Sequence, residues 1–334
     1  MTPIIDLHCD LLSYLTRKGS DPNNSNDIGC SLPLLREGNV KLQVLAIYTA
    51  VGDDSVHLAQ KQAEEFEKLC ETNQTLKNIT DAASLDKITS EENDYTGVVV
   101  SIENAAGLCL EDDDIKETIK NLDKIISKTE KIFYIGLTHH TENRFGGGNN
   151  SDAGLKEDGK RLLDHISDRK IAIDYSHTSD KLAEGILNYI EKQRLNIRIL
   201  ASHSNFRSVF FHKRNLTDEF AKEIMHRNGL IGINFLRAFL NDKDEDAIFS
   251  HIEYGLKLGA RKNLAFGADF FYTNDMPEKE KRIPFYYELQ RDASVYPKIL
   301  ELINEKMNNE KMTEEDTNNF AYKNAVRFIK ELWL

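Results

Sequence analysis

The sequence predicts a (β/α)₈ barrel of the TIM type, and three observations carry the prediction. Eight runs rich in β-branched and aromatic residues alternate with amphipathic stretches, which argues a parallel sheet with helical crossovers. Those units occupy about 270 of the 334 residues, the size of a closed barrel. Histidine or an acidic residue ends six of the eight runs, and in a barrel those ends converge on one mouth. An open, doubly wound sheet is the competing arrangement.

The runs are PIIDLH at 3–8, KLQVLAIYT at 41–49, GVVVSIE at 97–103, IFYIGLTH at 132–139, IAIDYSH at 171–177, IRILASH at 197–203, LIGINFL at 230–236 and NLAFGAD at 263–269. Between the fifth and sixth, Leu182, Ile186 and Ile190 recur every four residues and predict an amphipathic helix over 179–193. Residues 13–39 are polar and too long for an ordinary βα connection, so they predict a covering loop or small insertion. NRFGGGNNSD at 143–152 follows the fourth run, and its three glycines allow either a mobile lid over the mouth or a plain flexible connection. They do not precede a helix with phosphate-loop spacing. Near the end, Thr313 to Asp316 forms a capping-box start. The stripe Phe320, Ala321, Ala325, Phe328, Ile329 and Leu332 behind it predicts a final core helix. One domain is expected to span 1–334.

Composition narrows the partners. Hydrophobic residues make up 40% and charged residues 29%, a globular balance, and the net charge is −12. So acidic a chain, with no basic run interleaved with aromatics, is expected to avoid nucleic acid. The start MTPIIDLHCD lacks a basic, apolar leader and no run of ~18 apolar residues occurs, so a cytoplasmic protein without a membrane partner is expected. Cys9, Cys30, Cys70 and Cys109 show no CxxC spacing and read as reduced structural thiols.

The chemistry is carried by the run ends. His8 and Asp10 stand two apart, so strand periodicity points both to one face, while Cys9 points away as a small buried hydrophobe. Glu103 and Asp269 close apolar runs and need a cation, a proton or a donor if buried. His139 or His140 ends the fourth run, His177 the fifth and His203 the sixth. Nitrogen and oxygen ligands without thiolates suit Zn²⁺, Mn²⁺, Co²⁺ or Fe²⁺ in a hydrolytic role, and a shared carboxylate would allow two ions.

These residues resemble the membrane (renal) dipeptidases and their bacterial relatives, within the metal-dependent amidohydrolase barrels. The resemblance covers nearly the whole chain. It rests on DLHCD at 6–10, IEN at 102–104, LTH at 137–139, DYSH at 174–177, SHSNFR at 202–207, HKRNLTDE at 212–219, INF at 233–235 and GADF at 267–270. It implies two zinc ions, with His8 and Asp10 on the first, Glu103 bridging, and His177 and His203 on the second. It further implies that His139, rather than His140, contacts the scissile carbonyl, that Arg207 binds the substrate carboxylate, and that Asp269 handles the proton of the catalytic water. The expected reaction is hydrolysis of a dipeptide's peptide bond by a hydroxide between the metals, and a homodimer is compatible with this reading. Two departures bear on the pocket: Phe271 stands where the family usually has a second Asp, and Phe206 replaces a small residue. Among rivals, a one-metal deaminase or cyclic amidohydrolase usually opens with His-x-His, where this chain has His8-x-Asp10. A non-catalytic metal-binding barrel would need neither Arg207 nor Asp269.

Overall fold

The computed structural model describes residues 1–90 and 94–334, with 308–311 as helix backbone only. Among the described residues nine strands form: β1 Ile4–Cys9, β2 Val40–Ile47, β3 Leu76–Asn78, β4 Thr96–Ile102, β5 Ile132–Gly136, β6 Ala172–Asp174, β7 Ile199–Leu200, β8 Ile231–Ile233 and β9 Leu264–Phe266. All pairings are parallel, in the order β7-β6-β5-β4-β2-β1-β9-β8. A parallel bridge between Ala201 and Ile231 then joins the two ends of that order and closes the barrel. Eight of the strands are the eight predicted runs. The ninth, β3, pairs with Thr96–Val98 of β4, along the edge that β5 takes further on at Val100 and Ile102. With three residues and only Leu76 buried, it carries no periodicity to read.

Strands β6 and β7 are shorter than their runs because a side chain takes over the backbone donors. The Asp174 carboxylate at the end of β6 accepts from Ser176 N at 3.0 Å and from Ser202 N at 2.8 Å, so the chain turns where a ladder would have continued. Those turns deliver His177 and His203. The helix Asp180–Gln193 follows as predicted, capped by Ser179 and buried through Leu182, Ala183, Ile186 and Ile190.

The final helices seal the opposite end. Thr313 and Asp316 make the reciprocal capping box. Phe328, Ile329 and Trp333 then pack with Ile5, Leu7, Leu42, Val44 and Phe133 in one apolar cluster. The contacts of this segment fall on residues that precede or begin strands: Lys170 Nζ to Trp333 O, Arg198 to Glu331, and Asn324 Nδ2 to Leu264 O. The last helix therefore plugs the N-terminal end of the barrel and leaves the C-terminal end for chemistry.

The glycine segment departs from expectation. Gly146, Gly147 and Gly148 are buried. A Cβ on Gly148 would lie 2.0 Å from His139 O, and one on Gly147 2.2 Å from Ala153 O. Gly148 also bridges to Thr178, beside His177. The glycines serve close backbone approach rather than mobility, and they fix the segment that carries His139 and His140. Within residues 13–39 the helix Leu11–Leu15 ends and a second short helix, Leu32–Glu37, forms, with Ile28 and Cys30 buried. No helix among the described residues is long and apolar enough to cross a membrane.

Candidate metal centre

The ends of β1 and β9 are joined by two backbone bonds, Asp269 N to His8 O at 3.2 Å and Asp10 N to Phe270 O at 2.9 Å. That register brings His8, Asp10 and Asp269 together. Glu103 leaves β4 with its N–H on Ile47 O at 3.1 Å, and His139, His177 and His203 arrive from beyond β5, β6 and β7. Glu103 Oε1 stands at the centre: the Nε2 atoms of His177, His139, His203 and His8 lie 3.1, 3.6, 3.6 and 3.8 Å from it. His8 Nε2 is also 3.9 Å from Asp10 Oδ2 and 3.7 Å from Asp269 Oδ1, and the Nε2 atoms of His177 and His203 are 3.0 Å apart.

Burial, with Arg214 and neighbouring histidines adding to it, holds His139, His177 and His203 well below the imidazole range; burial and Arg214 take His8 down to about 3. The histidines are neutral, so their approaches to Glu103 are not ion pairs. Burial first, then carboxylate repulsion, pushes Asp10 and Glu103 well above their usual values. Lone pairs and crowded carboxylates thus converge on one spot.

Hydrogen bonds fix which nitrogens face inward. The Tyr134 hydroxyl donates to Leu7 O at 2.9 Å, so it accepts from His8 Nδ1–H at 2.8 Å and leaves the His8 Nε2 lone pair free. The Ser202 hydroxyl donates to Asp174, so it accepts from His203 Nδ1–H at 2.6 Å with the same result. His8 Nε2 and Asp10 Oδ1 are buried with no hydrogen-bond partner. Buried acceptors of this kind fit a divalent cation, and His8, Glu103 and His203, like His8, Asp10 and Asp269, place their ligand atoms within 4.8 Å of one another. Backbone strain marks the same place: His177 and Asp269 have φ of 67° and 66°, a conformation uncommon for residues other than glycine. Tyr134→Phe is expected to release the His8 ring and weaken metal binding by roughly 10–100-fold, as loss of a ligand's supporting partner does. Competition with a fluorescent chelator measures this; an unchanged affinity would mean that Tyr134 does not orient the ligand.

A cavity of about 890 Å³ opens over the cluster, lined by Asp10, Glu103, His139, His140, His177 and Asp269 among others. The choice between the adjacent histidines is partly visible. His139 Nε2 faces Glu103, whereas His140 Nδ1 is tied to Asn149 Oδ1 at 2.9 Å; both line the cavity. Phe271 lines it as well, edge-on to Phe285, so this departure does shape the pocket. Phe206 is buried behind it, against His251 and Tyr254.

Arg207 is not where the resemblance would put it. Its guanidinium makes a two-pronged pair with Asp180, 2.7 and 2.8 Å, and also donates to the carbonyls of Asn215 and Lys213, so its donors are spent outside the cavity. The cation at the centre is Arg214, 3% exposed. It donates to Ser204 Oγ at 2.7 Å and His203 O at 2.8 Å, lies 5.6 Å over the Phe239 ring, and keeps a buried Nε without a partner. Asn234 is another residue that sequence reasoning left without a role: its Nδ2 donates to Asp269 Oδ2 at 2.8 Å. Asp174 and Asn234 fall in the DYSH and INF motifs, and Arg214 in HKRNLTDE, so the signal was motif membership alone.

The chain is a parallel barrel with a buried cluster of nitrogen and oxygen ligand atoms at its mouth, beneath the cavity, an arrangement shared by the class of metal-dependent hydrolase barrels. Within that class, the membrane dipeptidase (peptidase family M19) model matches residues 1–333, and the chain belongs to this family. It is 33% identical over 135 residues to an uncharacterised protein of Acinetobacter calcoaceticus, covering 36% of this chain and 41% of that one. With a Klebsiella pneumoniae relative matched over 54% of its length, the chain spans about half the length of these curated relatives. Among solved structures, dipeptidase AC, a metallopeptidase, superposes with a TM-score of 0.83 at 18% identity, covering 100% of this chain and 99% of that one. A metallopeptidase of Rhodobacter sphaeroides, liganded with a phosphinate mimic of the dipeptide L-Ala-D-Ala, gives 0.80 at 18% identity over 99% of both chains.

Proposed function

We propose that this chain is a metal-dependent dipeptidase that works with two divalent cations, zinc by the character of its donor set. The observation that carries the reading is Glu103 Oε1 ringed by four neutral imidazoles, inside a cavity that also holds Asp269. His8 and Asp10 would hold one ion, His177 and His203 the other, and Glu103 both. Cations held there would supply Lewis acidity for activating water and polarising a carbonyl oxygen. His139, on the cavity wall beside Tyr48, is placed to donate to the carbonyl oxygen as charge develops on it. Asp269 is placed to move the proton: it lines the cavity, stands 3.7 Å from His8 Nε2 and is held by Asn234 Nδ2 at 2.8 Å, and without metal, burial raises its carboxyl to about 7 against the pull of Arg214 and Asn234. Assay of the purified protein on dipeptides with and without chelator, alongside metal counting, tests the whole; activity that survives full metal removal would end it.

Arg214 takes over the carboxylate role. It is the buried cation behind the wall formed by His212 and Phe239, and a fixed anchor one residue from the scissile bond favours a free carboxylate there. A dipeptide should therefore be hydrolysed about 10–100-fold faster, in kcat/KM, than its C-terminal amide, the worth of one charge-assisted bond. Arg214→Met is expected to erase that ratio and Arg207→Met to leave it. A preference that outlived Arg214→Met would put the clamp elsewhere.

A further inference from the structure

The rim of the cavity carries two cations with no ion-pair partner among the described residues. Two of the rim cations are paired: Arg17 with Asp275, and Lys281 with Glu278 at 2.6 Å. Arg237 and Arg282 are different. Both line the cavity, and among the described residues neither has a carboxylate within ion-pair distance. Arg237 packs over the Tyr287 ring at 5.9 Å and its Nη2 is 3.5 Å from Arg282 O, so the two belong to one corner of the rim. That corner is fixed by Arg237 N donating to Phe285 O at 3.0 Å. Two exposed carboxylates also line the cavity: Asp275, which pairs with Arg17, and Asp242, which stands outside ion-pair distance of both arginines. Two unpaired guanidiniums over one pocket run against a chain whose net charge is −12. Their field also reaches inward: His140, held down to about 4 chiefly by burial, feels Arg282 among its neighbouring cations.

We propose that Arg237 and Arg282 form an anion subsite that selects dipeptides with a carboxylate side chain on the C-terminal residue. The position follows from the chain path. Arg237 opens the short helix Arg237–Leu240 that carries Phe239, and the Arg214 guanidinium, the anchor assigned above to the α-carboxylate, lies 5.6 Å over the Phe239 ring. The rim arginines therefore flank the carboxylate end of the substrate, where a second carboxylate meets two planar donors. This rests on the dipeptidase reading and on Arg214 as its anchor.

The test uses the metal-loaded protein and isosteric pairs: Ala-Glu against Ala-Gln, and Glu-Ala against Gln-Ala. The acid should exceed the amide by at least about tenfold in kcat/KM at the C-terminal position. It should show no comparable ratio at the N-terminal one. In Arg237→Gln/Arg282→Gln the C-terminal ratio should fall to about one, and in the parent protein it should shrink as salt rises, because the rim is solvent-accessible. A ratio is unaffected by the folded fraction, so a less stable variant still reports. Hydrolysis of all four without discrimination, or a ratio that persists in the double variant, overturns the subsite and leaves the dipeptidase reading standing. Hydrolysis of none overturns both.

Discussion

Glu103→Gln is expected to empty the metal centre and take the activity with it. The substitution keeps size and shape but removes the charge that both cations would share, and it turns an amide N–H₂ toward imidazole lone pairs that already stand 3.1–3.8 Å away. Two cations a few ångströms apart in a buried site repel strongly without a carboxylate between them. Bound metal should drop from two equivalents to one or fewer, and kcat/KM should fall by more than the roughly 10–100-fold that loss of a supporting partner costs. Elemental analysis beside a dipeptide assay reads both.

The same variant has a stability signature of opposite sign. Burial and the charges of Asp10 and Asp269 raise the Glu103 carboxyl well above its ordinary 4.5, so the folded, metal-stripped protein binds this proton more tightly than the unfolded chain does. Stability from such a group is present at low pH and declines as pH climbs from the unfolded value through the folded one. Chelator-stripped Glu103→Gln should therefore melt above the stripped parent near pH 8 and lose that advantage toward pH 4. Equal melting temperatures at both ends would mean that Glu103 is not crowded by its neighbours, and full metal content in the variant would remove it from the bridge.

What the sequence could and could not say follows from the range of the forces involved. Strand ends are local: a β-branched run closed by His or Asp places that side chain within a residue or two, and the barrel brings the ends together by topology. His8, Asp10, Glu103, His177, His203 and Asp269 were legible for that reason. Arginine was not, because a long side chain takes its partner from tertiary structure. Arg207 and Arg214 lie in one loop, and only the placement of Asp180 at the start of its helix draws the first outward while Ser204 and His203 O hold the second in. The three glycines misled for a related cause, since tight packing and free movement both call for a residue without Cβ. Asp174 and Tyr134 were invisible as positioning groups because a hydrogen bond that fixes a tautomer leaves no periodic trace.

Asp269→Asn is expected to keep the metals and lose the chemistry. Asparagine has nearly the volume of aspartate and is among the few residues that accept a left-handed backbone, so the φ of 66° at this position does not tell against it. An amide oxygen can still accept from Asn234 Nδ2, now 2.8 Å from Oδ2, and the backbone bond from residue 269 N–H to His8 O is untouched. What disappears is the carboxylate as a proton site, and with it the shuttle between water and leaving amine. The cost should be roughly 10²–10⁴ in kcat, the range for a positioned acid or base, with KM changed much less. The limb of the pH profile that Asp269 governs should vanish as well, which a merely structural lesion would not cause. The competing role is concrete, because Asp269 Oδ1 lies 3.7 Å from His8 Nε2 and Asp10 is in the same group of possible ligand atoms. A variant that lost one equivalent of metal would make Asp269 a ligand, and the proton would then have to be carried by His139 across the cavity.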